Sequence, residues 1–352
     1  MFLIFHSNAS WEAEASFFNN SANAAGAVIV LSSSRASWEA EATFSNNTAD
    51  GGIYESGEYY SYDAGDGGAV HVSSGSVFWL ATTSFSNNYA ASRGGALSFA
   101  GGDATFNATV LFLGNSAESF GGAVSINSRH WRDDDFSSSL VMTNTTEFID
   151  NKCKTGGGGL SMDGLVSVQF AENQTIFSGN TADVVGGGVH VADVGTGPQL
   201  IGVKFNSNSA EFGGGMYVTD SGTDHDAKKF TEGTNPEQRT KFDRCEFFNN
   251  IALSGGGAVS SIFGQDYFVS STFQGNTARF GGALSLSAID SSLFNCTFVE
   301  NSSEEDEGPA VSNRGLISSF SNSSFFTNTF VCANGKFRET SRGDNNVSVG
   351  TT

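Results

Sequence analysis

Residues 9–20 read ASWEAEASFFNN, and residues 36–47 read ASWEAEATFSNN, the same dodecapeptide 27 residues on with two changes. A copy this close at a fixed displacement is a repeat unit, one that gains a core only by stacking on its neighbours. Its last four residues carry the pattern Phe-x-x-Asn, which returns along the whole chain with its Phe at Phe17, Phe44, Phe85, Phe112, Phe148, Phe177, Phe205, Phe247, Phe273, Phe298 and Phe325. Steps between these Phe residues run from 25 to 29, except for three of 41, 36 and 42. Most of the motif Asn residues are followed by a Gly pair, a small residue and an apolar one, as in Gly94-Gly95-Ala96-Leu97, Gly121-Gly122-Ala123-Val124 and Gly281-Gly282-Ala283-Leu284.

A unit of this length is compatible with helical arrays, so the period inside the unit arbitrates. After the Gly pairs the text alternates, as in Ala69-Val70-His71-Val72 and Ala96-Leu97-Ser98-Phe99, which is the period of a strand. Helix formers at 3.6 spacing are absent. Each unit is therefore expected to hold two or three short strands joined by turns in which Gly supplies positive φ and Asn tolerates it. Such units stack as an all-β solenoid, a right-handed parallel β-helix of about 11 to 12 coils and roughly 50 Å. Residues 1–330 form this domain and 331–352 a polar tail or the start of a further segment. Phe44, Phe85, Phe112, Phe148, Phe177, Phe205, Phe247, Phe273 and Phe298 are expected to form one buried ladder, the Asn residues a second, and the Gly pairs a corner where backbone meets backbone.

Phe-x-x-Asn paired with Gly-Gly-Ala-(Val/Leu) resembles the repeat of the chlamydial polymorphic outer-membrane proteins, from Phe17 to about Asn328. That resemblance implies a pectin-lyase-like β-helix and an adhesin at the cell surface, outer-membrane associated if bacterial. Those proteins are autotransported, and neither a signal peptide nor a carboxy-terminal membrane barrel is read in the 352 residues, so self-transport gains no support from them.

Composition agrees with a folded, acidic chain, and the four cysteines leave the compartment open. There are 44 Gly without a triplet period, 3 Pro, 32 Phe and a net charge of −20, which excludes collagen and a disordered tail and argues against nucleic acid as a partner. Residues 1–5 are apolar but lack a basic flank, and no stretch approaches about 18 apolar residues, so no membrane insertion is expected within this chain. Cys153, Cys245, Cys296 and Cys332 lack zinc-site spacing. Cys245 and Cys296 share a phase two residues before the motif Phe and stand two coils apart, about 9.6 Å, too far for a disulfide.

The three long steps mark insertions at about 54–66, 127–137 and 219–240. The latter two follow the Gly-Gly strand and leave from one corner, three coils apart. They carry Trp131, Arg132, His225, Lys228, Lys229 and Arg239, an aromatic with basic groups of the kind enriched at binding centres, and these are the candidate contacts for a cell-surface or matrix protein or glycan.

Chemistry is not expected. The positions that alternate outward after the Gly pairs are His71, Ser98, Ser125, Ser161, His190, Tyr217, Ser260, Ser285 and Ser312, a column without the paired carboxylates that polysaccharide lyases and hydrolases need. His71 and His190 share the column about 19 Å apart and read as surface histidines, and no base is expected beside any serine of it. Asp224-His225-Asp226 is a weak cation signal and Arg342-Gly343-Asp344 a chance tripeptide; no metal or cofactor is assigned. Ten Asn-x-Ser/Thr sequons, including Asn107, Asn144, Asn173, Asn295 and Asn346, permit glycosylation. The sequence reads as a non-catalytic adhesion scaffold, with a carbohydrate-active enzyme and a structural spacer as the alternatives.

Overall fold

A computed structural model describes residues 2–23, 26–31, 34–51, 65–128, 138–164, 166–192, 194, 197–219, 240–263, 266–287, 291–304, 308–313, 317–321, 323–326, 328–331 and 337–339. The described chain winds through four sheets, and each coil gives one strand to each sheet before returning to the first. The first sheet runs from Phe2–Phe5 to Val311–Asn313, the second from Asn8–Trp11 to Ile317–Ser321, the third from Ala15–Phe18 to Ser324–Phe326, and the fourth from Ser21–Ala22 to Thr329–Val331. Every pairing among them is parallel, and only a last strand, Phe337–Glu339, folds back antiparallel on Thr329–Val331. The fold is a parallel β-helix, and the return of each coil to its own sheet is the crossover to which strand twist gives a right hand. Coils are numbered 1 to 11 from the amino end by their first-sheet strand.

Each unit holds four strands, not the two or three expected. The additional ones are legible only in hindsight: the fourth-sheet strand is mostly two residues long, as in Thr48–Ala49, too short to show a period.

Registration follows the motif. Phe44 pairs with Phe85, Phe85 with Phe112 and Phe112 with Phe148, and so on to Phe298, so each ring lies over the next. From Phe44 to Phe298 the nine rings are fully buried and stack with centroids 4.5 to 5.1 Å apart. A second ladder, not foreseen, lines the inside of the second sheet: Trp11, Trp38, Trp79 and Phe106 stack on one another and meet the Phe ladder edge-on, as Trp79 does Phe85 at 5.7 Å and 81°. The signal was present, because each of these rings stands six residues before its motif Phe.

The Asn ladder explains why the fourth motif residue is Asn. Asn151 donates from Nδ2 to the Phe112 carbonyl at 3.0 Å and to Asn180 Oδ1 at 2.9 Å, and the same Oδ1 accepts the Asn151 backbone N–H at 3.1 Å. Two donors and a double acceptor on one short side chain are what the buried turn requires, and Ser or Asp lacks part of that set. At the Gly pair the close approach is equally specific: Gly94 has φ 65°, and a Cβ on Gly95 would stand 2.1 Å from the Gly122 carbonyl oxygen.

Cys245 and Cys296 lie buried in one column with Ser271 between them, and Cys153 lies in a separate small cluster with Ala117 and Ala182; these three are free thiols. Burial pushes the Cys245 thiol up to about 12. Cys332 lies outside the described residues, as do 52–64, 129–137 and 220–239, which hold most of the three insertions. The strands flanking the latter two are described: Val124–Ser128 and Ser138–Met142 in coil 5, Met216–Thr219 and Thr240–Asp243 in coil 8.

Candidate functional site on the outer face of the first sheet

The alternation that sends Val70, Leu97 and Val124 inward sends His71, Ser98 and Ser125 outward, and the register carries that column on through Ser161, His190, Tyr217, Ser260, Ser285 and Ser312. It is not a surface. His71 is 5% exposed, His190 6%, and Ser98, Ser125, Ser161 and Ser260 2% each, so the expectation of surface histidines is corrected. The cause is the segment between the fourth and first sheets. As it turns at the positive-φ glycine of each Gly pair it lays a further column over this face, in which Phe120, Gly156, Val185 and Phe212 bridge in parallel, as do Gly255 and Phe280.

Cover and column share their volume. A Cβ at Gly156 would stand 2.8 Å from Val185 Cγ2 and 3.1 Å from a ring carbon of His190, so the glycine makes room for both. Within the cover, Gly255 likewise makes room for the Phe280 ring. The His190 imidazole lies between Phe120, at 5.5 Å between centroids, and Tyr217, at 5.9 Å. Its Nδ1 is 3.2 Å from Ser161 Oγ. The expectation that no base stands beside a serine of this column is therefore overturned, because parallel register puts each side chain beside its counterpart one coil on. Burial lowers the His190 pKa to about 4, against the opposing charge of Asp163, so the ring is neutral at pH 7.

A neutral imidazole beside a hydroxyl is the beginning of a nucleophilic pair, but here the ring packs against Gly156 and Phe120 and Ser161 is 2% exposed. The contact closes a packed layer. Among the described residues no three His, Cys, Asp or Glu side chains converge as a metal site would require. Asp66 reaches this face as well, accepting the Arg93 N–H at 2.9 Å and the Ser98 hydroxyl at 3.5 Å.

Trp131, Arg132, His225, Lys228, Lys229 and Arg239 lie outside the described residues, as do 133–135, 224–226 and 342–344. Of the sequons, Asn107, Asn144, Asn173 and Asn295 are exposed, whereas Asn301 is a fully buried rung of the Asn ladder. Sequence reasoning missed the cover column, whose residues vary from coil to coil; the available signal was a residue immediately before each Gly pair that is often large and apolar.

Fold and motif together define a β-helix repeat protein built on Phe-x-x-Asn and Gly-Gly-Ala. The family model of the Chlamydia polymorphic membrane protein repeat matches residues 41–73 and 82–100. Each match spans one Phe-x-x-Asn rung and the Gly-Gly-Ala corner that follows it, so the chain carries this repeat in coils 2 to 4. No curated protein and no solved structure matches the chain.

Proposed function

We propose that the protein is a non-catalytic adhesion scaffold displayed at a cell surface, in association with an outer membrane if the source is bacterial. The reading is carried by one observation: the strands flanking 129–137 and 220–239 belong in both coils to the first and second sheets, so both insertions spring from the same corner, three coils or about 14 Å apart. The repeat match supports the surface location, since the matched family is one of membrane proteins. Trp131, Arg132, His225, Lys228, Lys229 and Arg239 are the contacts this reading assigns to a surface or matrix protein or glycan, with the basic groups acting against a net charge of −20 only locally. Replacing both insertions by Asn-Gly turns is expected to keep the β spectrum and thermal transition while abolishing adhesion of protein-coated beads to cells. Undiminished adhesion would move the activity to the regular faces of the rod.

A further inference from the structure

We propose that the outer face of the second sheet in coils 8 to 10 binds a neutral, extended oligosaccharide chain. Exposed large apolar residues are scattered over the rod, and single ones need no explanation. Two aromatic ones face outward on adjoining strands here, one strand and two residues apart, and a third stands four residues before the first. Tyr267 is 36% exposed on Asp266–Val269, Phe294 is 47% exposed on the adjoining Ser291–Phe294, and Phe263 is 58% exposed at the corner that leads into the Tyr267 strand. The neighbouring strand Thr240–Asp243 sets Lys241 directly beside Tyr267. There Asp243, in register with Val269, lies 3.2 Å from the Lys241 amine and 3.5 Å from Arg244 Nε, so a small charged cluster borders the tyrosine.

Phe263 is the telling residue. It holds φ 60°, a conformation that penalises a bulky side chain, at a corner where coils 3, 4 and 6 place Ser74, Gly101 and Gly164. A ring that is more than half exposed recovers little by burial, so packing does not account for a Phe in that place. The size of the face selects the occupant. Three strands of four residues cover about 200 Å², whereas a stable protein partner needs about 800 Å² on each side. An area this small, with exposed rings and charged groups beside them, matches the apolar faces and hydroxyl rim of a short run of sugar rings. The net charge of −20 disfavours a polyanionic glycan over a neutral one.

Phe263 takes in coil 9 the corner from which 220–239 leaves in coil 8, so the insertions are tested separately. In native affinity electrophoresis of the full chain, gels containing hydroxyethyl cellulose, xylan or galactomannan are expected to retard the protein in at least one case, and hyaluronan is not. Tyr267→Ala and Phe294→Ala should each weaken retardation about tenfold. Phe263→Gly should weaken it too, while leaving the melting temperature unchanged or raised, because Gly relieves the backbone conformation. The variant lacking both insertions should be retarded like the native chain, which separates this result from the adhesion assay. Retardation by none of the three neutral polymers, retardation by hyaluronan alone, or retardation that the three substitutions leave intact would each overturn the proposal. A Phe263→Gly variant that melts several degrees lower would overturn it as well, by giving that ring a role in the fold.

Discussion

The inside of the third sheet and the outside of the first are laid down by the same coils, yet one repeats Phe without a break from Phe17 to Phe298 and the other interrupts its runs of Ser with His71, His190 and Tyr217. In the third sheet Phe lies on Phe from coil to coil because each ring meets the same surroundings, a ring above, a ring below and the Asn turn beside it. On the first sheet the space is divided between two columns, and a large residue in one is answered by a gap in the other, as His190 is by Gly156, while within the cover itself Gly255 leaves room for Phe280. Identity is fixed where the environment is periodic. Where two independent columns share a volume, only their sum is fixed.

The largest expected effect lies on the periodic side. Phe177→Ala should lower the unfolding free energy by about 3 to 5 kcal/mol in denaturant titrations, since a rigid stack cannot collapse into the cavity. Ile176→Ala, one residue away on the outer side of the same strand, should change it by about 0.5 kcal/mol or less. Equal losses at the two positions would refute the ladder as the main source of stability.

The first-sheet layer should show itself through pH. His190 is held neutral by burial, with its pKa at about 4 in the folded chain against about 6.5 when unfolded. The unfolded chain therefore binds the proton first. The contribution is complete above about pH 6.5 and falls away as the pH drops toward 4, a loss on the order of 2 kcal/mol by pH 5. Melting temperatures of the native chain and of His190→Gln, compared at pH 7 and pH 5, should show the smaller drop in the variant. Parallel curves would mean that the imidazole titrates freely and that the cover is open.

Smallest is the hydrogen bond itself. Ser161→Ala removes the hydroxyl 3.2 Å from His190 Nδ1 and should cost about 1 kcal/mol at pH 7, as for a neutral pair. A loss several times greater would mean that the pair belongs to a larger polar network than the one seen here.

These contrasts also explain what could be read from the sequence. Phe177 and Asn180 were legible because a stacked solenoid turns spatial periodicity into text, and eleven repeats of Phe-x-x-Asn announce both ladders. Trp38 and Trp79 were missed although they keep a constant offset from the motif, because in later coils that offset changes and Phe242 and Phe268 stand five residues before their motif Phe. His71 and His190 were misplaced for a different reason. Alternation tells which side of a strand a residue faces, and says nothing of whether another segment crosses over that side. Phe294 lies 27 residues beyond Tyr267 in the text, and only the register sets its strand beside that of Tyr267.

The Asn ladder has a consequence for how such a molecule changes length. A rung satisfies its neighbours only if the next rung is present at one strand spacing, whatever the number of residues in between: 25 residues separate Asn276 from Asn301, and 42 separate Asn208 from Asn250. Height is thus quantised in whole turns and indifferent to chain length. A lineage can lose or duplicate a complete turn and close the ladder again, or enlarge a corner without altering the span of the rod, whereas half a turn has no place to fit.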